Sequence, residues 1–155
     1  MTCLRELTDH DAPTVRRIFN DVSVRFLDRA AMGVAESVAY VTQARAWSVE
    51  RPRRRYVLGI DVGGDLVGVV KLSVTTGEGR IGYVLRQDSW GHGHATRAVR
   101  ELVTLAFGAW GLATVRAQHR SANPASGRVL AKAGFLRTGT VGGFVRYVAT
   151  REEAH

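Results

Sequence analysis

Apolar residues recur along this chain in two rhythms, and the change from one to the other predicts the elements. Val15, Ile18, Phe19 and Val22 fall at helical spacing behind Thr8 and Asp9, two side chains able to cap a helix over about 12–20. A short first strand over 3–7 precedes it. A mixed bridge, 25–33, leads to a second helix with Ser37 as its expected N-cap and Tyr40, Val41, Ala44 and Trp47 as its buried stripe. The period then shortens to two. Residues 56–60 read as a strand, Gly63-Gly64 as a turn, 66–74 as the antiparallel partner, 76–79 as another turn and 81–85 as a third strand. Helical spacing returns over 94–110, where Ala98, Val99, Leu102, Leu105 and Ala106 share a face and Gly108 and Gly111 bracket the end. A strand over 114–119 follows. Pro124 then starts a helix as a first-turn proline can, Gly134 ends it, and 135–141 with 144–149 make a closing hairpin. Helices alternating with a mixed sheet predict an α/β (α+β) layered fold. No repeat, low-complexity tract or linker divides the chain, so one domain is expected across 1–155.

Composition narrows the class. A chain of 155 residues, 45% hydrophobic and 23% charged, buries enough surface to fold without a metal or disulfide staple. These values exclude collagen-like, disordered and coiled-coil chains. No apolar run is long enough to span a bilayer and the first residues lack a signal-peptide core, so a cytoplasmic protein with no membrane partner is expected. The single cysteine, Cys3, excludes internal disulfides, has no flanking base, and is expected to pack in the core. The net charge of +8 implies affinity for polyanions: nucleic acid, an acidic protein or a phosphorylated cofactor. Arg51, Arg53, Arg54 and Arg55 form one run while the other arginines are dispersed. No aromatics interleave with the run, so nucleic acid is not the expected partner.

The segment Arg86-Gln87-Asp88-Ser89-Trp90-Gly91-His92-Gly93-His94-Ala95-Thr96 follows a strand and opens a long helix. Glycines there let amide N–H groups converge, and a helix N-terminus adds partial positive charge, which together suit an anion such as a pyrophosphate. A simple tight turn would use the same glycines. No Gly-Lys-Ser/Thr follows, and the dinucleotide spacing fails at Arg97. His92 and His94 lack a rigid frame and a Cys or carboxylate cluster, so no metal is expected. Downstream, Asn123 stands past a strand end, placed either to bond a ligand amide or to form an Asx turn ahead of Pro124.

Taken together, these segments carry a resemblance. Ile81-Gly82-Tyr83-Val84-Leu85 followed by Trp90 to Thr96 resembles the acyl-CoA signature of the GNAT superfamily of N-acetyltransferases. Asn123-Pro124-Ala125-Ser126 with Lys132-Ala133-Gly134-Phe135 is similar to its second signature. The Gly-Tyr and Trp-Gly pairs, and the opening Leu4 to Ala12, are most similar to the branch of ribosomal-protein alanine N-acetyltransferases. The resemblance implies a GNAT-like, mostly antiparallel sheet flanked by helices and splayed at an acyl-CoA groove. It further implies acetyl-CoA as co-substrate and direct attack of a primary amine on the thioester. The acceptor would be a protein N-terminus or a small amine such as an antibiotic or polyamine.

The resemblance also assigns residues. Amides of Gly91, His92, Gly93, His94, Ala95 and Thr96 would cradle the pyrophosphate. Backbone groups of Val84, Leu85 and Arg86 would pair with the pantetheine arm, with the Leu85 amide as oxyanion donor. Asn123 and Ser126 would contact that arm from the other side; Arg86, Arg97 and Arg128 are candidates to assist with phosphates by their proximity in sequence alone. Trp90 would shield the groove; Trp47 and Trp110 are expected to pack. Departures matter. The tyrosine acid of related branches corresponds to Leu130, leaving Ser126 as the hydroxyl donor, and Asp88 stands where Gln or Arg is common. Glu78, in the turn before the acceptor-facing strand, is the first candidate base, with Arg80 standing where the branch often carries an acid. Asp28 is a second candidate, each being equally a solvated surface carboxylate. His119 can titrate near neutrality, and water can carry the proton instead. The bridge 25–33, with Arg25, Asp28 and Arg29, is expected to shape the acceptor pocket. The alternative is a catalytically silent acyl-CoA-binding or nucleic-acid-binding module, supported by the missing tyrosine, the ambiguous base and the charge. The closing hairpin fits an internal sheet edge or a homodimer contact, so monomer or homodimer stays open.

Overall fold

Seven strands and four helices alternate in the computed structural model, which describes residues 2–151. In chain order they are β1 (Thr2–Glu6), a 3-10 turn (Asp9–Asp11), α1 (Ala12–Ile18), α2 (Val34–Ser48), β2 (Arg55–Val62), β3 (Asp65–Thr75) and β4 (Glu78–Leu85). A second 3-10 turn (Gln87–Ser89), α3 (His94–Phe107), β5 (Thr114–Arg120), α4 (Pro124–Lys132), β6 (Leu136–Val141) and β7 (Phe144–Thr150) complete the fold. The strands form one sheet in the order β1-β2-β3-β4-β5-β7-β6. Every neighbouring pair is antiparallel except β4 and β5. One face is covered by α1 and α2 over a cluster that includes Val15, Ile18, Val41, Val57 and Val69. The other is covered by α3 and α4 over Leu58, Ile60, Val70, Leu72, Leu102 and Leu130. Among the described residues no helix is long and apolar enough to cross a membrane.

The expected elements are present in the expected order, with physical reasons for the shifts. Residues 76–77 alone make the turn between β3 and β4, with Thr76 at φ 46° and Gly77 at φ 77°, the type I′ pattern that suits the twist of a hairpin. That tight turn lets β4 begin at Glu78, three residues earlier than its alternation suggests. The first helix stops at Ile18 because Asn20 Oδ1 accepts from the Val22 and Ser23 amides (3.0 and 2.9 Å), offering the chain a competing turn. Ser37 is not an N-cap. Gly33, in extended conformation, occupies that position, and Ser37 is buried one turn in, its hydroxyl donating to Val34 O at 2.7 Å. Asp9 pairs with Arg45 instead of capping, and the Thr8 amide donates to Asp11 Oδ2 at 2.7 Å. Cys3 is exposed, because the inward positions of β1 are its neighbours.

Two guanidinium cages tie the sheet to its connections. Arg5 bonds Asp11 through both terminal nitrogens (2.8 and 3.0 Å) and Asp61 through Nε (2.8 Å). Arg86, buried, bonds both oxygens of Asp65 (3.0 and 2.8 Å), Asp88 (2.5 Å) and Leu66 O (3.0 Å). These bonds hold the Asp61, Asp65 and Asp88 carboxyls below the usual carboxylate range. Burial pushes Asp11 up, but Arg5 and the Thr8 amide outweigh it and the net direction is down. A carboxylate whose folded pKa is depressed contributes stability above its unfolded pKa and loses it as pH falls through the folded value. The urea midpoint is therefore expected to be flat from about pH 7 to 5 and to fall steeply below about pH 4. A midpoint unchanged down to pH 3 would remove the cages from the account of stability.

Candidate active site

β4 and β5 pair only at Glu78, Gly79 and Arg80 with Thr114, Val115 and Arg116. Beyond that point β4 stays with β3 as far as Leu85 opposite Gly68, and β5 stays with β7 as far as Arg120 opposite Phe144. The sheet therefore splits, and the split opens into a cleft of about 650 Å3. Backbone alternation decides which groups face it. The Arg86 amide donates to Val67 O at 2.7 Å, so Arg86 and Val84 direct their backbone groups to β3, and Leu85 directs its own into the split. Trp90 Nε1, reaching round from the loop, donates to Leu85 O at 3.2 Å. Of the three backbone positions expected in the groove, Leu85 has the required orientation. Val84 and Arg86 do not, although Val84 is among the residues that line the cleft.

The glycine loop meets the split at the N-terminus of α3. Gly91 and Gly93 have φ of 83° and 77°, and Gly93 is the N-cap in left-handed conformation, with no side chain capping the helix. First-turn amides are left for another partner, in a helix of 14 residues whose dipole favours an anion. Gly91, Gly93, His94, Ala95 and Thr96 line the cleft. His92 does not; its carbonyl accepts from Arg97 (2.9 Å), which folds back on the loop. Burial, with Arg97 and His92 nearby, lowers the pKa of His94, which keeps the ring neutral at pH 7. Arg128 and Lys132, from α4, add two cationic residues to the cleft lining. The expected phosphate role for the Arg86 side chain fails, since it is spent on Asp65 and Asp88 behind the cleft. Asp88, paired with that guanidinium, is not among the residues that line the cleft.

On the far wall, Asn123 is the N-cap residue of α4, makes no capping bond, and lines the cleft with Ser126. Ser126 Oγ lies 2.6 Å from the Tyr83 hydroxyl, which spans the split from β4 and is also 3.2 Å from Ser126 O. Burial pushes the Tyr83 pKa up to about 12, so it stays protonated at any working pH. Tyr83 was not singled out from the sequence as a site residue. The available signal was alternation, which places it on the face of Ile81 and Leu85. Leu130 is fully buried in the core beneath α4.

His119 is buried on β5. Its Nδ1 donates to Arg120 O (2.7 Å), which leaves Nε2 to accept from the Tyr147 hydroxyl (3.1 Å). Both ring nitrogens are engaged, which leaves neither free to bond a substrate amine. A Cβ on Gly127 would come within 2.8 Å of both Nε2 and that hydroxyl, so the absent side chain lets α4 lie this close to the sheet.

Glu78 is not in the cleft. It stands at the paired end of β4, bonded to Arg116 Nε at 2.7 Å, seven positions from Leu85 and roughly 23 Å away along the strand. Asp28 is the one carboxylate that lines the cleft among the described residues, and it is paired with Arg120. Arg25, Phe26 and Leu27 join it at the rim, while Arg29 turns away to Glu36. Trp110 stacks on Tyr56 at 3.7 Å and Trp47 packs beside α1, as expected of packing aromatics. Trp90 is 43% exposed at the cleft. The rings of His92 and His94 are 5.7 Å apart, and among the described residues no three His, Cys, Asp or Glu side chains gather as a metal site would require.

A family model described as the acetyltransferase (GNAT) domain matches residues 2–136. The chain is 28% identical over 149 residues to an uncharacterized N-acetyltransferase, YoaA, of Bacillus subtilis (strain 168), covering 89% of this chain and 81% of that one. Its fold is similar to that of Mycobacterium smegmatis RimJ in complex with CoA-disulfide, with TM-score 0.82 and 25% identity over 98% of this chain and 83% of that one. It is also similar in fold to the aminoglycoside acetyltransferase AAC(6')-Ib in complex with coenzyme A and kanamycin, with TM-score 0.79 and 23% identity over 99% and 96% of the two chains.

Proposed function

The chain belongs to the acetyltransferase (GNAT) domain family, and from that premise we propose that the split between β4 and β5 binds acetyl-CoA and serves transfer of its acetyl group to a primary amine. The observation that carries the site assignment is the meeting, in one cleft, of an unpaired strand end and an uncapped helix N-terminus. Acetyl-CoA supplies an acyl group activated as a thioester. The cleft suits it chemically: amides of the loop for the pyrophosphate, and a free strand edge for an extended amide-bearing arm.

Each wall has a role. The amides of Gly93 to Thr96, with Arg128 and Lys132, hold negative charge at the α3 end. The Leu85 N–H is the donor aimed at the carbonyl oxygen, where one such donor contributes about 3 kcal/mol to the transition state. Ser126 Oγ, oriented by Tyr83, is the donor for sulfur as that atom takes on negative charge. Asn123 contacts the amides of the arm. Among the described residues the one carboxylate lining the cleft, Asp28, is held by Arg120, both ring nitrogens of His119 are engaged, and His94 belongs to the loop end that holds the phosphates, so the amine proton leaves through water. The acceptor is a polypeptide amino terminus or a small-molecule amine.

Calorimetric titration with acetyl-CoA tests this reading, with micromolar binding at unit stoichiometry as the expected result. Thiol release on a panel of amines then separates a transferase from a silent acyl-CoA-binding module, which would bind without turnover. No binding of acetyl-CoA would sink the assignment of the cleft.

A further inference from the structure

We propose that the uncovered face of β4, β5 and β7 docks an acidic polypeptide and presents its amino terminus to the cleft, an inference that rests on the acetyltransferase reading above. On this side of the sheet α1 and α2 cover β2 and β3, and their core reaches β4 only at Val84. Beyond them the outward positions are open. Arg80 stands directly opposite Arg116 across the parallel ladder, Gln118 stands opposite Arg146, and all four are exposed. Lys71, opposite Gly82 on β3, extends the row. Like charges facing each other across adjacent strands destabilise a sheet, so the arrangement calls for an anionic counterpart.

The described residues supply little of one. The carboxylates beside the row are Glu78 and Asp28, and each is already engaged, by Arg116 and Arg120. Lys71, Arg80 and Arg146 make no salt bridge among the described residues. The face is also continuous with the cleft, because Gly82, Gln118 and Arg120 belong to both. At Gly82 a Cβ would meet nothing within 4 Å, so the mouth is open where an acceptor must enter.

Chemistry selects the occupant. Polyamines and aminoglycosides carry several ammonium groups, and a row of arginines repels them. Nucleic acid satisfies the charge, but its exocyclic amines are conjugated with the bases and are weak nucleophiles. A polypeptide offers an α-amine with a pKa of about 8, partly neutral at working pH, together with Asp and Glu side chains for the cationic row.

The test uses the full chain and two labelled peptides of about ten residues that share an N-terminal alanine, one followed by Asp and Glu and the other by Lys and Arg. Fluorescence anisotropy reads docking without acetyl-CoA, and thiol release reads transfer. The acidic peptide is expected to bind at least about tenfold more tightly and to show a similarly higher kcat/KM, an advantage that shrinks from about 50 to 300 mM salt. The double variant Arg80→Gln/Arg146→Gln is expected to lose about tenfold of that advantage while its acetyl-CoA affinity stays unchanged and its melting temperature does not fall. Equal binding of the two peptides, or an acidic advantage untouched in the folded variant, would overturn the proposal. Tighter binding of a single-stranded oligonucleotide of matched charge, displacing the peptide, would overturn it in favour of nucleic acid. An acidic peptide that docks but is never acetylated, with acetyl-CoA bound normally, would overturn its role as acceptor. Failure to bind acetyl-CoA at all would mark failure of the parent reading separately.

Discussion

Gly93→Glu is expected to bind acetyl-CoA at least about 100-fold more weakly than the parent, a loss of about 2.7 kcal/mol, while remaining folded. The position is the N-cap of α3 at φ 77°, in the turn that aims the first amides of the helix into the cleft. Glutamate there adds a carboxylate where the pyrophosphate is expected, and its Cβ would lie 3.1 Å from the Arg97 guanidinium, well placed to hold that carboxylate. Backbone strain alone does not explain such a loss, since a side chain at positive φ costs on the order of 1–2 kcal/mol of stability. A control isolates the two effects. Gly63 has a similar φ of 60° in the β2–β3 turn and lies outside the cleft, so Gly63→Glu is expected to lose comparable stability and keep its affinity. Calorimetry beside thermal melts reads both. A folded Gly93→Glu protein with parental affinity would move the phosphates elsewhere.

Ser126→Ala is expected to lower kcat on the order of 100-fold with little change in the KM for acetyl-CoA, because a donor to the leaving sulfur acts mainly in the transition state. Tyr83→Phe is expected to cost about tenfold, since Ser126 keeps its hydroxyl but loses the partner 2.6 Å away that orients it. The double variant should be no worse than Ser126→Ala alone, as a residue acting through another has nothing left to position. The reverse ranking, with Tyr83→Phe the more damaging, would make Tyr83 the donor and Ser126 its support. Burial holds Tyr83 protonated up to about pH 12, so neither hydroxyl should introduce an alkaline limb into the rate profile near neutrality.

The local pattern was legible wherever one residue determines its own surroundings. Alternation over 56–85, the Gly63-Gly64 turn, the amphipathic run of α3 and Pro124 at the start of α4 led to elements that are present, because periodicity and φ preference are properties of short segments. The loop from Gly91 to Thr96 belongs to the same class, since its glycines and its place before a helix suffice to suggest an anion site. Ser37 and Asp9 were misread for a related reason. Both are good caps in isolation, and only packing against the sheet or a partner 36 residues away, Arg45, diverts them.

The site required the fold. Glu78 and Tyr83 lie on one strand five residues apart, and nothing local says that the ladder with β5 holds at the first and opens at the second. That divergence also separates Leu85, whose amide faces the split, from Val84 and Arg86, whose amides are consumed by β3. Arg86 resembled a phosphate ligand by position, and Asp65, 21 residues away, claims it. What the sequence determined by itself was the order of elements, the glycine loop that opens α3 and the family resemblance, all carried by contiguous residues. The tertiary structure alone decided which donors reach the cleft, that Tyr83 meets Ser126 across it, and that arginines from separate strands form one basic face, because pairing register and strand divergence set distances between residues that are remote along the chain.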